Sequence, residues 1–126
     1  MLVKILYIGM GGFIGSALRY MTNGLVERVI SPNAFPYGTF VVNILGCLVI
    51  GFLAGISDTN DVFSTTSRAF VFTGVLGAYT TFSTFSYETM DLFQNGLMSP
   101  ALINLGLQIV FGLSAVWGGF QLAKIF

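Results

Sequence analysis

An apolar stretch near residues 69–93 is long enough to cross a bilayer, yet it holds Gly74-Val75-Leu76-Gly77-Ala78-Tyr79-Thr80-Thr81-Phe82-Ser83-Thr84-Phe85-Ser86 at its centre. Gly74 and Gly77 weaken a helix, and clustered hydroxyls compete for backbone partners, so the run predicts an interruption at mid-membrane. Hydrocarbon offers no water to a freed N–H or C=O. A broken helix therefore persists there only against protein or along a polar pathway. Carbonyls ending one half-helix and N–H groups starting the next point at the membrane centre, which is the material of an ion site. Thr80, Thr81, Ser83 and Thr84 supply side chains able to cap the second half.

Only 8% of the 126 residues are charged, against about a quarter in a soluble domain. The chain therefore reads as an all-α integral membrane protein, one unit over residues 1–126. Spans fall near 3–26, 37–56, 69–93 and 101–123, each able to cross a core of about 30 Å. Turn signals separate them: Ser31-Pro32-Asn33 with Pro36, then Ser57-Asp58-Thr59-Asn60-Asp61, then Gln94-Asn95-Gly96 and Ser99-Pro100. The apolar N-terminal stretch superficially resembles a signal peptide. It has no obvious small-residue cleavage site and runs on to Arg19, so it reads as the first span. Zero formal charge and the absence of His leave a nucleic-acid partner, a histidine metal site and a histidine relay without support. Cys47, the single cysteine, cannot form an intrachain disulfide and reads as a small core residue.

Four spans place both termini on one side, with Lys4, Lys124 and Arg68, against Arg19 and Arg28 on the other. So small a bias fits a weakly oriented chain as well as one that inserts both ways and pairs with an inverted copy. In such a pair two breaks meet at the membrane centre, where carbonyls from both chains can cage one hard cation. Gly11 and Gly15, Gly51 and Gly55, and Gly118-Gly119 read as close helix-packing sites.

The deep polar residues need partners. Thr39 and Asn43 share a helical face, as do Asn104 and Gln108. Each amide can glue helices or line a polar file. Arg19 either snorkels to the interface or biases a vestibule toward anions. Glu88 and Asp91 read as solvated residues near a span end. Phe82 and Phe85 face roughly one way, and their positive ring edges, with Ser83, Thr84 and Ser86 beside them, can replace water around a small hard anion.

Three segments resemble the Fluc (CrcB) fluoride channel family, and the resemblance covers essentially the whole chain. Gly15-Ser16-Ala17-Leu18-Arg19 is similar to the family's Gly-x-x-x-Arg. Gly38-Thr39-Phe40-Val41-Val42-Asn43-Ile44-Leu45-Gly46 is similar to its Gly-Thr-x-x-x-Asn-x-x-Gly, and Gly74 to Ser86 to its broken third helix. The resemblance implies an antiparallel, dual-topology homodimer in a bacterial cytoplasmic membrane, with two fluoride pores and passive fluoride export. It further implies a structural, untransported sodium ion on the carbonyls of Gly77 and Thr80. Phe82 and Phe85 would supply ring edges, Asn43 a hydrogen bond, Thr39, Ser83 and Thr84 further polar contacts, and Arg19 a vestibule charge. Two positions depart from the family pattern. Ala78 stands where a second glycine is usual, and a requirement for φ > 0 there would strain it. The fourth helix offers Asn104, Gln108 and Gly112 in place of hydroxyls, with the two amides as pore candidates.

A small dual-topology multidrug exporter shares the length and span count but needs an ionisable group at membrane depth. Glu27, Asp58, Asp61, Glu88 and Asp91 all fall at span ends or loops in this reading. A purely structural subunit accounts for the glycines and leaves the clustered hydroxyls unexplained. No nucleophile–base pair suggests an enzyme.

Overall fold

The computed structural model describes residues 1–30, 34–59 and 62–126; the turn signals at Ser31-Pro32-Asn33 and Asn60-Asp61 lie outside them. The described residues contain helices and no strand. Helix α1 spans Leu2–Val29 and α2 spans Tyr37–Thr59. A third run, α3, begins as Thr65–Arg68, winds as a π-helix over Ala69–Leu76 and closes with Gly77–Tyr79. Thr80 and Thr81 are extended. Helix α4 then spans Phe82–Gln94 and α5 spans Met98–Ala123. Among the described residues, three stretches are long and apolar enough to cross a membrane: Leu2–Val29, Tyr37–Asp58 and Met98–Ala123.

Several helix ends run past the sequence reading, Gln94 among them as the last residue of α4, and two have a local cause. Ser57, Asp58 and Thr59 continue α2, because Ser57 is buried and its hydroxyl accepts from Arg68 Nη1 at 2.6 Å. Pro100 lies inside the first turn of α5, where its missing N–H has no intrahelical acceptor to lose. The turn between α4 and α5 is made by Asn95 and Gly96, the latter at φ +75°, a conformation suited to glycine.

Glycines set the packing. A Cβ on Gly11 would lie 2.5 Å from the Phe70 carbonyl, and one on Gly74 2.9 Å from the Ile8 carbonyl, so α1 and the π-wound part of α3 meet backbone to backbone. Gly51 faces the Val116 backbone in the same way, and Gly119 faces Leu48 and Phe52, joining α2 to α5. Contact this close is how helices gain van der Waals energy in lipid, where apolar burial gives little drive. Few large apolar side chains are enclosed: Val42, Leu76, Phe85 and Leu92 are buried, whereas Phe13, Tyr20, Phe82 and Trp117 face outward. Such an outer surface suits lipid tails or another apolar chain.

Candidate functional site

The break between α3 and α4 is built by three local devices. Thr81 caps α4: its Oγ1 accepts the Thr84 N–H at 3.2 Å and donates to Thr84 Oγ1 at 2.9 Å. Ser83 Oγ lies 3.3 Å from the same hydroxyl. Thr80 closes α3, its N–H and its hydroxyl both donating to the Leu76 carbonyl at 3.0 Å. The third device comes from α2. Asn43 Oδ1 accepts the Thr81 N–H at 2.9 Å, while Asn43 Nδ2 donates to the Thr81 carbonyl at 3.2 Å and to Gln108 Oε1 at 3.1 Å.

In an uninterrupted α-helix the N–H of residue 81 would bond to the carbonyl of residue 77. Asn43 takes that N–H instead. Among the described residues no backbone N–H beyond the break donates to the carbonyl of Gly77 or Thr80. Two main-chain oxygens at a helix C-terminus, carrying partial negative charge, are suitable ligands for a hard cation. Ala78 stays helical and no described residue other than glycine has positive φ, so alanine sits at position 78 without strain. A Cβ on Gly46 would strike the Thr80 methyl group; the glycine there lets α2 press against the break.

Beside this corner opens a groove of about 390 Å³, lined by Asn43, Thr80, Phe82, Phe85 and Gln108, with Cys47 on its wall. The Phe82 and Phe85 centroids are 5.6 Å apart with ring planes at 59°. Phe85 is buried and Phe82 is 78% exposed, so the pair runs from the protein interior to the outer surface. Gln108 Nε2 is shut off from solvent and has no hydrogen-bond partner.

A second polar contact lies along the same face of α2. Thr39 is buried and its hydroxyl donates to Glu88 Oε1 at 2.8 Å. Both line a cavity of about 480 Å³ with Asn23, Glu27 and Tyr37. The sequence reading left Glu88 solvated near a span end. The structure half-buries it against α2, because α4 runs on to Gln94 and Glu88 follows Phe85 by three residues, on the same face. Glu88 Oε2 and Asn23 Oδ1 are buried without partners. Glu88 is the site residue that sequence reasoning missed, and that i, i+3 spacing was the signal available.

The expected residues therefore separate into groups. Asn43, Gly77, Thr80, Phe82, Phe85 and Gln108 converge on the groove. Thr39 belongs to the Glu88 cavity, and Ser83 and Thr84 serve the cap. Asn104, fully buried, donates through Nδ2 to Thr89 Oγ1 at 2.8 Å, and Thr89 donates to the Phe85 carbonyl at 2.7 Å. It ties α5 to α4 behind Phe85 and lines neither cavity, so the two amides of α5 do different jobs. Arg19 is half-buried on α1 and also lines neither cavity.

Residues 6–120 match the family model described as CrcB-like protein, Camphor Resistance (CrcB). The chain is 43% identical over 122 residues to the fluoride-specific ion channel FluC of Methylobacillus flagellatus, a match covering 97% of this chain and 95% of that one. It is 41% identical to the FluC proteins of Flavobacterium psychrophilum (95% and 96% covered) and Clostridium perfringens (98% and 96% covered).

Proposed function

The chain belongs to the CrcB family, and we propose that it is a fluoride-specific membrane channel, not an enzyme, giving passive export of cytoplasmic fluoride. The observation that carries this reading is the meeting of the Asn43–Gln108 amide pair with Phe82 and Phe85 in one groove. Amide hydrogens and aromatic ring edges are both electropositive. Together they can exchange for the hydration shell of a small hard anion, which must bind weakly enough at successive points to leave. Fluoride enters cells as HF in acid and is trapped as the anion, so a passive path lets it run out.

Helix α4 and the run at residues 65–79 are each about 20 Å long at helical rise, short of a core of about 30 Å. Joined as one span interrupted at Thr80-Thr81, they make the protomer a four-span unit. An inverted homodimer in a bacterial cytoplasmic membrane is supported by the near-even charge balance and by outward-facing Phe82. In that dimer the carbonyls of Gly77 and Thr80 from both subunits hold a structural sodium ion. The ion's positive charge offsets the clustered carbonyl dipoles, and it is not transported. Thr39, Ser83 and Thr84 extend the polar lining, and Arg19 supplies vestibule charge.

The deciding experiment is anion efflux from liposomes under a potassium–valinomycin clamp. Rapid fluoride efflux with negligible chloride efflux is expected; a folded, reconstituted protein passing no fluoride overturns the reading. Phe82→Ile and Phe85→Ile are expected to cut fluoride efflux at least ten-fold while the dimer persists. Wild-type rates in both variants would remove the ring-edge role.

A further inference from the structure

One side chain in the last turn of α3 reaches away from the break to another helix. Tyr79 stands in the chain between Gly77 and Thr80, and its hydroxyl lies 3.2 Å from Thr22 Oγ1 on α1. The backbone of α1 settles the direction of that bond. Thr22 gives its only hydroxyl hydrogen to the Leu18 carbonyl at 2.9 Å, and a carbonyl can only accept. The Tyr79 hydroxyl is therefore the donor. Its ring is half-buried, and Cδ1 lies 3.4 Å from where a Cβ on Gly46 would stand. Tyr79 thus runs from α2 to α1 across the end of α3.

The turn it belongs to needs a hold from outside. Gly77–Tyr79 is one short α-helical turn following 8 π-wound residues, and Thr80 beyond it is extended. Thr80 bonds back to Leu76 within the same run, which does not fix how the run is rotated against its neighbours. A Cβ on Gly15 would strike the Val75 carbonyl and lie 3.0 Å from the Tyr79 nitrogen, so α1 rests directly on this backbone. Rotation about the α3 axis would carry the Tyr79 hydroxyl off Thr22 and swing the Gly77 and Thr80 carbonyls with it. We propose that Tyr79 is a positioning residue, its hydroxyl locking the last turn of α3 to Thr22 so that those carbonyls are set for the cation. The proposal rests on the sodium reading above. Asn43 holds the chain beyond the break, and Tyr79 holds the turn before it. Ligands fixed before the ion arrives bind it with less ordering left to do.

Tyr79→Phe keeps the ring and removes the donor. Thr22→Val keeps the volume and removes the acceptor, while Thr22→Ser keeps the hydroxyl. Sodium is titrated, with potassium holding the ionic strength, against the melting temperature of the purified protein and against fluoride efflux. Half-effective sodium is expected to rise about five-fold in Tyr79→Phe and in Thr22→Val, the size of one neutral hydrogen bond. The double variant should rise no further, because both changes remove the same bond. Thr22→Ser should titrate as wild type does, and high sodium should restore efflux in Tyr79→Phe. If the wild type responds to sodium and Tyr79→Phe titrates identically, this inference fails alone; a wild type indifferent to sodium overturns the sodium reading and takes it along. Additive shifts in the double variant, or a loss of efflux that sodium does not repair, would give the hydroxyl another role and overturn the proposal.

Discussion

Two clasps tie α2 to α4, and they differ in what they leave over. At the outer one, Thr39 meets Glu88 side chain to side chain, and the buried groups left without partners are oxygens, Glu88 Oε2 and Asn23 Oδ1. At the inner one, one turn further along α2, Asn43 grips the backbone of Thr81, and the unpartnered group beside it is an NH2, that of Gln108. Lone pairs repel an anion and N–H groups attract one. The inner clasp therefore fixes both the backbone break and the electropositive corner, whereas the outer clasp holds a helix in place.

The largest effect is expected from Asn43→Ala. It strips partners from the Thr81 N–H and carbonyl together, at roughly 1–3 kcal/mol for each buried group. With Asn43 gone, the Thr81 N–H is free to return to the Gly77 carbonyl, closing the break. Fluoride efflux should vanish, and sodium should no longer raise the melting temperature of the dimer. Retention of the sodium response with loss of flux alone would show that Asn43 does not hold the break.

Next comes Gly46→Ala. The new Cβ would collide with the Thr80 methyl and displace Thr80, so a fall of ten-fold or more in efflux is expected. Thr80→Ser removes the obstructing methyl while keeping the hydroxyl that bonds to Leu76. Alone it should be mild, since the sodium ligand we propose at Thr80 is its main-chain oxygen. In the double variant the remaining Tyr79 contact is 3.4 Å, and efflux should recover. A double variant as impaired as Gly46→Ala would show that the damage spreads by another route.

Much of this corner is legible in the chain. Two glycines followed by four hydroxyl residues announce an interruption and its cap, because both act locally on the backbone. The i, i+4 spacing announces that Thr39 and Asn43 act on one neighbour. What the spacing does not carry is which neighbour. Asn43 as a free donor and Asn43 as a backbone clamp have the same sequence, and only the approach of Thr81 separates them. The same limit splits Asn104 from Gln108, which share a face of α5 but meet Thr89 and Asn43 respectively. The π-winding of Ala69–Leu76 is likewise hidden, since it goes with backbone contact to Gly11 and no local propensity marks it.

The outer clasp should be the weaker of the two. Thr39→Val removes one hydroxyl of about the same volume and leaves Glu88 Oε1 without its donor, a loss of about 1 kcal/mol. Efflux is expected to fall only several-fold, with the sodium response intact. A Thr39→Val variant as silent as Asn43→Ala would make the two clasps equal and break the contrast between them.

The smallest effect bears on the family departure at Ala78. Position 78 lies in the last α-helical turn before the break, and no described residue other than glycine has positive φ. Restoring glycine therefore relieves no strain and adds conformational freedom to the unfolded chain, at a cost of roughly 0.5–1 kcal/mol. Ala78→Gly should lower the melting temperature slightly and leave both sodium affinity and fluoride efflux at wild-type values. A tighter sodium site in Ala78→Gly would mean that the cation draws the backbone into a left-handed turn, and that the inner clasp yields when the ion arrives. Unchanged affinity leaves the clasp as the element that sets the carbonyls, with the ion fitting an arrangement Asn43 has already made.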